Sequence, residues 1–155
     1  MERKDAMIYA IQNEIKSENS YNILAKVFED RESKEVFSHL SKIESIHKEK
    51  LTSLFKKEFP HEILKLDKTI TFKIPKQEGL NDPVAALKYA IGKEQAAGDG
   101  YKKLAELSED AETTKLFLML AADEKNHEDL LETEIARLTG TMMWFDASEL
   151  GGLME

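Results

Sequence analysis

Six side chains with metal-binding chemistry form two copies of one pattern, a glutamate followed 30 residues later by a Glu-x-x-His motif. The six residues are Glu14, Glu44, His47, Glu94, Glu124 and His127. Residues three apart share a face of an α-helix, so the Glu and His of each motif can reach one centre. Four carboxylates balance two divalent cations, and mixed carboxylate and imidazole ligation suits iron or manganese, while zinc would also bind. The pattern therefore predicts a centre of two metal ions.

The two copies lie within an internal repeat. Shifting the sequence by 80 residues aligns the polar and the apolar positions of its two halves. Tyr21 and Tyr101 are also in register, and each follows the lone glutamate of its half by seven residues. Either tyrosine could serve catalysis by hydrogen-bonding a metal ligand or donating an electron. The alternative for both is an aromatic core residue with a satisfied hydroxyl.

Four stretches with helical apolar periodicity carry these residues. They cover residues 3–28, 31–58, 83–108 and 111–138. Asp30 and Asp110 can accept the free N–H groups at a helix start, and Asp82 precedes a proline suited to the first helical position. Gly140 can end the last helix in a left-handed conformation.

The connections between the stretches indicate how the helices are arranged. The joints within the first and second pairs are short, so each pair should form an antiparallel hairpin. The connector from Phe59 to Asp82 could travel the length of a bundle, and its alternating residues 69–74 could be extended. The chain is therefore predicted to be all-α, an antiparallel four-helix bundle over residues 1–140 with one long crossover between the second and third helices. Residues 141–155 would form a tail.

Distances along the helices bring the six residues to one depth. Glu14 lies 16 residues before Asp30, and Glu44 lies 14 residues after it. At about 1.5 Å per residue, both lie roughly 21–24 Å from the turn that joins their helices. The second half of the repeat has the same separations, so all six side chains should converge near the middle of the bundle.

Composition excludes several classes of function. The 155 residues carry a net charge of −8, which disfavours nucleic acid and anionic membranes as partners. They contain no cysteine, so neither disulfides nor thiolate metal sites can form within them. No apolar run is long enough to span a bilayer, and the first ten residues lack a signal-peptide pattern. We expect a cytoplasmic protein.

Other polar residues show weaker evidence of a role in the metal centre. Glu18 lies one turn after Glu14, but its repeat partner is Gly98, and we expect a solvated side chain. Asp123, His39 and His61 have no repeat partners of their own type, which favours surface or connector roles.

At these motifs the sequence resembles the rubrerythrin-like branch of the ferritin-like superfamily, over roughly residues 5–138. The motifs are Ala10-Ile11-x-x-Glu14 with Tyr21, Glu44-x-x-His47, Ala90-Ile91-x-x-Glu94 with Tyr101, and Glu124-x-x-His127. The resemblance implies a centre of two iron ions held by the six residues, a homodimer, and a reaction with hydrogen peroxide or dioxygen in oxidative-stress defence.

The sequence departs from full rubrerythrins at two points. Ala97 stands where they have a further carboxylate, and the four cysteines of a rubredoxin domain are missing. Turnover would therefore need an external electron donor, such as a rubredoxin-type protein.

Three functions are compatible with these features. The first is a di-iron oxidoreductase that reduces hydrogen peroxide or dioxygen. The alternative is a ferroxidase or iron-handling protein that oxidises Fe(II) for storage or transfer. A third is a structural bundle that the metal only stabilises, which predicts zinc or redox-silent iron.

Overall fold

Four helices account for the fold of the chain in a computed structural model that describes residues 2–73 and 82–140. The helices are α1 (Arg3–Val27), α2 (Arg31–Glu58), α3 (Pro83–Leu107) and α4 (Ala111–Thr139). Each begins and ends within one residue of its predicted stretch. The alternating residues 69–74 form no strand over their described part. The predicted tail, residues 141–155, lies outside the described residues.

Side-chain caps begin three of the helices as predicted. The carboxylates of Asp30, Asp82 and Asp110 each accept backbone N–H groups of the following turn, at 2.9–3.2 Å. At the end of α4, Gly140 has a φ of 76°, in the left-handed region that favours glycine. These caps fix the starts of α2, α3 and α4 and the end of α4, and with them the depth at which the side chains of these helices lie.

Contacts at the two ends of the bundle define the helix directions. Arg3 at the start of α1 contacts Glu58 at the end of α2 and Thr113 at the start of α4. At the other end, Arg137 of α4 contacts Asp30, the N-cap of α2. Helices α1 and α4 are therefore parallel, and both are antiparallel to α2. Because α3 is antiparallel to α4 within its hairpin, the crossover must run the length of the bundle.

The apolar core is divided into two clusters. One lies around Met7, Phe55 and Phe117, towards the start of α1. The other lies around Phe28 and Phe37, whose rings stack at 5.2 Å towards the start of α2. Between the clusters, each helix turns a polar residue inwards, so the middle of the bundle is available for a polar site. None of the described helices is long and apolar enough to cross a bilayer.

Polar side chains of α1 hold the crossover against the bundle. Gln12 exchanges two hydrogen bonds with the backbone of Asp67, at 2.7 and 3.0 Å. Asn19 donates to two carbonyls of the crossover, at 2.8 and 3.0 Å. The hydroxyl of Ser20 accepts from the backbone N–H of Phe72 at 2.7 Å. These bonds satisfy backbone groups of the crossover, which forms no helix or strand over residues 59–73.

Replacing Ser20 with alanine should loosen the crossover. Ser20 is fully buried, and its loss leaves the Phe72 N–H without its acceptor, at a cost of about 1–3 kcal/mol. For a chain of this size that cost lowers the thermal unfolding midpoint by at least about 2–4 °C. The control is Ser53→Ala, at an exposed position of α2, which should change stability by less than about 0.5 kcal/mol. Equal midpoints for the two variants would contradict a role for Ser20 in holding the crossover.

Candidate metal centre

All six predicted metal-binding residues lie together in the middle of the bundle. The four glutamates are at most 2% exposed, and the more exposed of the two histidines is 6% exposed. Helices α1 and α3 each contribute one glutamate, and α2 and α4 each contribute a Glu-x-x-His motif. The residues are Glu14, Glu44, His47, Glu94, Glu124 and His127.

Their ligand atoms form two overlapping groups of four, in each of which the atoms lie within 4.8 Å of one another. The group called here the Glu14 position contains Glu14, Glu44, His47 and Glu124. The group called the Glu94 position contains Glu44, Glu94, Glu124 and His127. Two glutamates thus belong to both positions, and each position has one glutamate and one histidine of its own.

The orientation of the imidazoles suits two adjacent ions. The rings of His47 and His127 stack with their centroids 5.9 Å apart. Each Nδ1 atom lies 3.2–3.9 Å from carboxylate oxygens of three glutamates. Glu124 directs Oε1 towards His47 and Oε2 towards His127, the arrangement of a carboxylate that can bridge two cations.

Unpartnered atoms test whether the site fits metal ions. Among the described residues, seven buried atoms of this site lack a hydrogen-bond partner, at least one from each of the six residues. An unsatisfied buried polar atom costs about 1–3 kcal/mol, and an unpaired charge costs more. All seven are oxygens or imidazole nitrogens, which are the donors that iron, manganese and zinc accept. The residues fit a pair of divalent cations.

Burial and like charge control the protonation of the shared carboxylates. Burial raises the pKa of Glu44 well above its usual range, and the neighbouring Glu14 and Glu94 carboxylates raise it further. Burial likewise raises the pKa of Glu124, followed by the charge of Glu44. Without cations the site therefore holds protons, and binding of cations would release them.

A tyrosine donates to the individual glutamate of each position. The Tyr21 hydroxyl donates to Glu94 Oε1, and the Tyr101 hydroxyl donates to Glu14 Oε1, so the two bonds cross between α1 and α3. Burial, followed by the nearby carboxylates, raises the pKa of both hydroxyls well above 10. Both tyrosines therefore stay protonated and fix one oxygen of each glutamate, while the other oxygen lacks a partner.

Asp123 belongs to the site in a way that the sequence analysis did not predict. Its Oδ2 lies 3.0 Å from His47 Nε2, which orients the imidazole, although its side chain is 37% exposed. The internal repeat did not indicate this role, because the residue equivalent to Asp123 in the first half is Ile43. His39 and His61 are exposed, in agreement with the prediction.

The side chain of Glu18 is less exposed to solvent than the sequence predicted. Its side chain is only 20% exposed, and its Oε2 lies 2.7 Å from the ammonium of Lys48. The pair lies between α1 and α2 beside the Glu14 position. Its repeat partners, Gly98 and Glu128, cannot form an equivalent ion pair.

The fold and the site define a ferritin-like four-helix bundle with a buried carboxylate and histidine centre suited to metal. The Rubrerythrin family model matches residues 5–135, so the chain belongs to the rubrerythrin family. This match confirms the predicted family and fold class. A solved structure of a hypothetical protein from Pyrococcus furiosus has the same fold, with a TM-score of 0.76 and 23% identity over 90% of this chain and 92% of that one. No curated protein gives a significant match.

The metal-free protein should become less stable as the pH rises above the ordinary carboxyl range. The pKa values of Glu44 and Glu124 are raised by folding, so above about pH 4.3 the unfolded chain has released protons that the folded chain still holds. Stability is therefore lost as the pH rises towards the folded-state values. The lowered pKa values of Asp30 and Asp110 act at more acidic pH and with the opposite sign. Thermal midpoints measured across this range would test the trend.

Glu44→Gln should reverse part of this loss, because the buried amide is neutral without taking up a proton. At neutral pH the metal-free variant should unfold at least about 2–4 °C higher than the unaltered chain. Glu49→Gln, at an exposed position of α2, is the matched control and should leave the midpoint unchanged. A metal-free protein whose midpoint rises with pH would contradict the charge repulsion inferred here.

Replacing either buried tyrosine with phenylalanine should weaken cation binding. The change leaves a carboxylate oxygen of Glu94 or Glu14 without its donor, and loss of a partner that orients a ligand typically costs about 10–100-fold in metal affinity. Titration with Co(II), followed by its visible absorption, would measure the effect. Tyr9→Phe is the control, since Tyr9 is 54% exposed. Unchanged affinity in both Tyr21→Phe and Tyr101→Phe would show that these hydrogen bonds do not support the site.

Proposed function

We propose that this chain binds two iron ions and works as a non-haem di-iron oxidoreductase, reducing hydrogen peroxide or dioxygen with electrons from an external donor. The observation that carries the proposal is the set of seven unpartnered buried donor atoms in two overlapping groups. Membership of the rubrerythrin family supports the same reading.

The proposed ions would lie in the two overlapping groups. One ion would lie at the Glu14 position and the other at the Glu94 position. Glu44 and Glu124 would be shared by both, since each belongs to both groups. Two divalent cations balance four ionised carboxylates, and the mixed donors suit iron or manganese, while zinc could also be held.

The surrounding residues would prepare this site for redox chemistry. When bound, a ferrous pair can supply the two electrons that, with two protons, convert hydrogen peroxide to two molecules of water. Tyr21 holds the carboxylate of Glu94 in place, and Tyr101 holds that of Glu14. Both tyrosines keep their own protons inside the site. The apolar clusters on either side exclude water, and Asp123 orients His47. The proposed external donor of the electrons is a protein of the rubredoxin type.

The second candidate is iron handling, in which the same centre oxidises Fe(II) and passes Fe(III) to a store or partner. The observation that favours it is a cleft between α3 and α4 that is lined in part by Glu94. The two functions differ in whether the iron of the site stays or leaves. They also differ in assembly, because a storage cage would elute as a very large particle, whereas the oxidoreductase is proposed to be a cytoplasmic homodimer.

Anaerobic reconstitution with Fe(II) would test the proposal. We expect two Fe(II) per chain and, after mixing with hydrogen peroxide or dioxygen in a stopped-flow instrument, the absorption of an oxidised di-iron centre. A double variant, Glu44→Gln with Glu124→Gln, should lose both the second iron and the absorption, while Glu49→Gln keeps them. Continued oxidation of added Fe(II) with release of Fe(III) would favour iron handling. No absorption with either oxidant would remove both redox functions and leave a structural role for the metal.

A further inference from the structure

The two halves of the repeat differ at the edge of the metal centre. Between α1 and α2, Glu18 and Lys48 form an ion pair at 2.7 Å. The equivalent residues between α3 and α4 are Gly98 and Glu128, a residue without a side chain and one with the opposite charge to lysine. The equivalent positions on the other side of the bundle therefore form no ion pair between the two helices.

The crossover adds to the difference by covering the α1–α2 side. Leu64, Leu66 and Lys68 of the crossover line the same surface cleft as Glu18 and Lys48. Leu64 and Leu66 also pack against the apolar cluster at that end of the bundle. None of the six metal-centre residues lines this cleft. The Glu14 position is thus separated from solvent by an ion pair and a covering segment.

The α3–α4 side instead has a cleft of about 380 Å³ that leads to the centre, called here the α3–α4 cleft. Its lining includes Glu94, Gly98 and Glu128. A Cβ atom at Gly98 would lie 3.7 Å from the Cβ of Glu124, so residue 98 lies directly beside the shared glutamate and places no side chain there. Glu94 is 2% exposed, and its Oε2 has no hydrogen-bond partner. The cleft therefore reaches a buried residue of the Glu94 position.

The charges of the cleft favour a cation near the centre. Glu128 is 8% exposed and accepts from Gln95 at 2.9 Å. Asp99 is a further acid of the lining, while Lys102 and Lys125 supply the positive charges. The Lys125 side chain is 63% exposed and lies 3.5 Å from Glu128, at the solvent end. Buried carboxylates within and a solvated lysine outside produce a field that attracts cations inwards.

The two histidines also differ, because in the described part of the chain only one of them has a carboxylate that orients its imidazole. His47 of the Glu14 position is oriented by Asp123, whereas the equivalent position beside His127 is Ile43, which has no acceptor. A carboxylate that holds the second nitrogen of a ligating histidine strengthens metal binding. The Glu14 position therefore has the better supported ligand as well as the less accessible location.

We propose that the Glu94 position is the exchangeable one of the two and that cations enter and leave it through the α3–α4 cleft, past Gly98 and Glu128. This inference rests on the proposed two-ion centre. It gives the two halves of the repeat different tasks, one that retains its ion and one that exchanges it.

Removal of Co(II) by a chelator would test unequal exchange. Protein loaded with two Co(II) per chain should lose them to excess EDTA in two phases, followed by the visible absorption of the bound ions. Two matched variants assign the phases, because each removes the individual carboxylate of one position. Glu94→Gln should abolish the fast phase, and Glu14→Gln should abolish the slow phase. The opposite assignment would overturn the inference.

An exchange of residues between the halves would test the route. Gly98→Glu with Glu128→Lys places the ion pair of the closed side on the open side, and it should slow the fast phase by about tenfold or more by removing the favourable field and the open path. The reciprocal change, Glu18→Gly with Lys48→Glu, should accelerate the slow phase. Circular dichroism of the metal-free variants would show that each is folded.

The outcomes separate this inference from the proposed function. A single phase for both ions, or unchanged rates in both double variants, would overturn the inference while two bound Co(II) still support the two-ion centre. Failure of the unaltered chain to bind Co(II) would overturn the two-ion centre itself, and the inference with it.

Discussion

The burial of four carboxylates at one level of a helical bundle is the constraint on which the rest of this structure depends. Removing a single unpaired charge from water costs several kcal/mol, against a net folding stability of about 5–15 kcal/mol for a whole domain. Helical packing alone cannot tolerate four such charges, so they must be neutralised by protons or by cations. Folding is therefore coupled to proton uptake through Glu44 and Glu124, whose pKa values burial raises, and binding of cations at the site would release those protons.

The antiparallel arrangement turns a duplicated hairpin into a nearly symmetric site. Because α1 and α3 are antiparallel, Tyr21 reaches the glutamate of α3 while Tyr101 reaches the glutamate of α1. Neither tyrosine could reach the glutamate of its own helix, seven residues away, as directly. The hydrogen bonds thus connect the two halves across the centre, and the crossover that permits this topology is itself attached to α1 through Ser20. The tyrosine hydrogen bonds and the attachment of the crossover therefore link the site to the helix arrangement.

Periodicity and the repeat were sufficient to predict the helices, their caps and the convergence of the six residues, since these depend on spacing within a helix. Contacts between helices outside the repeat were not predictable in that way. Asp123 reaches His47 on a different helix, and Glu18 reaches Lys48, yet the repeat partners of both acids are uncharged. The course of the crossover beside Glu18 could not be predicted for the same reason, because its position follows from tertiary packing and not from spacing along the chain.

The same six ligands are compatible with a retained redox centre and with a centre that passes iron on, so ligand identity cannot decide between them. What differs physically is the residence time of the second ion relative to the reaction with the oxidant. That time depends on the path between the ligands and solvent as well as on how firmly the ligands are held. In the proposed centre of this chain, Gly98 and Glu128 line the path on one side, and Glu18 and Lys48 close it on the other. In the proposed two-ion centre, residues at the edge that bind no ion directly would therefore determine which of the two functions the bundle performs.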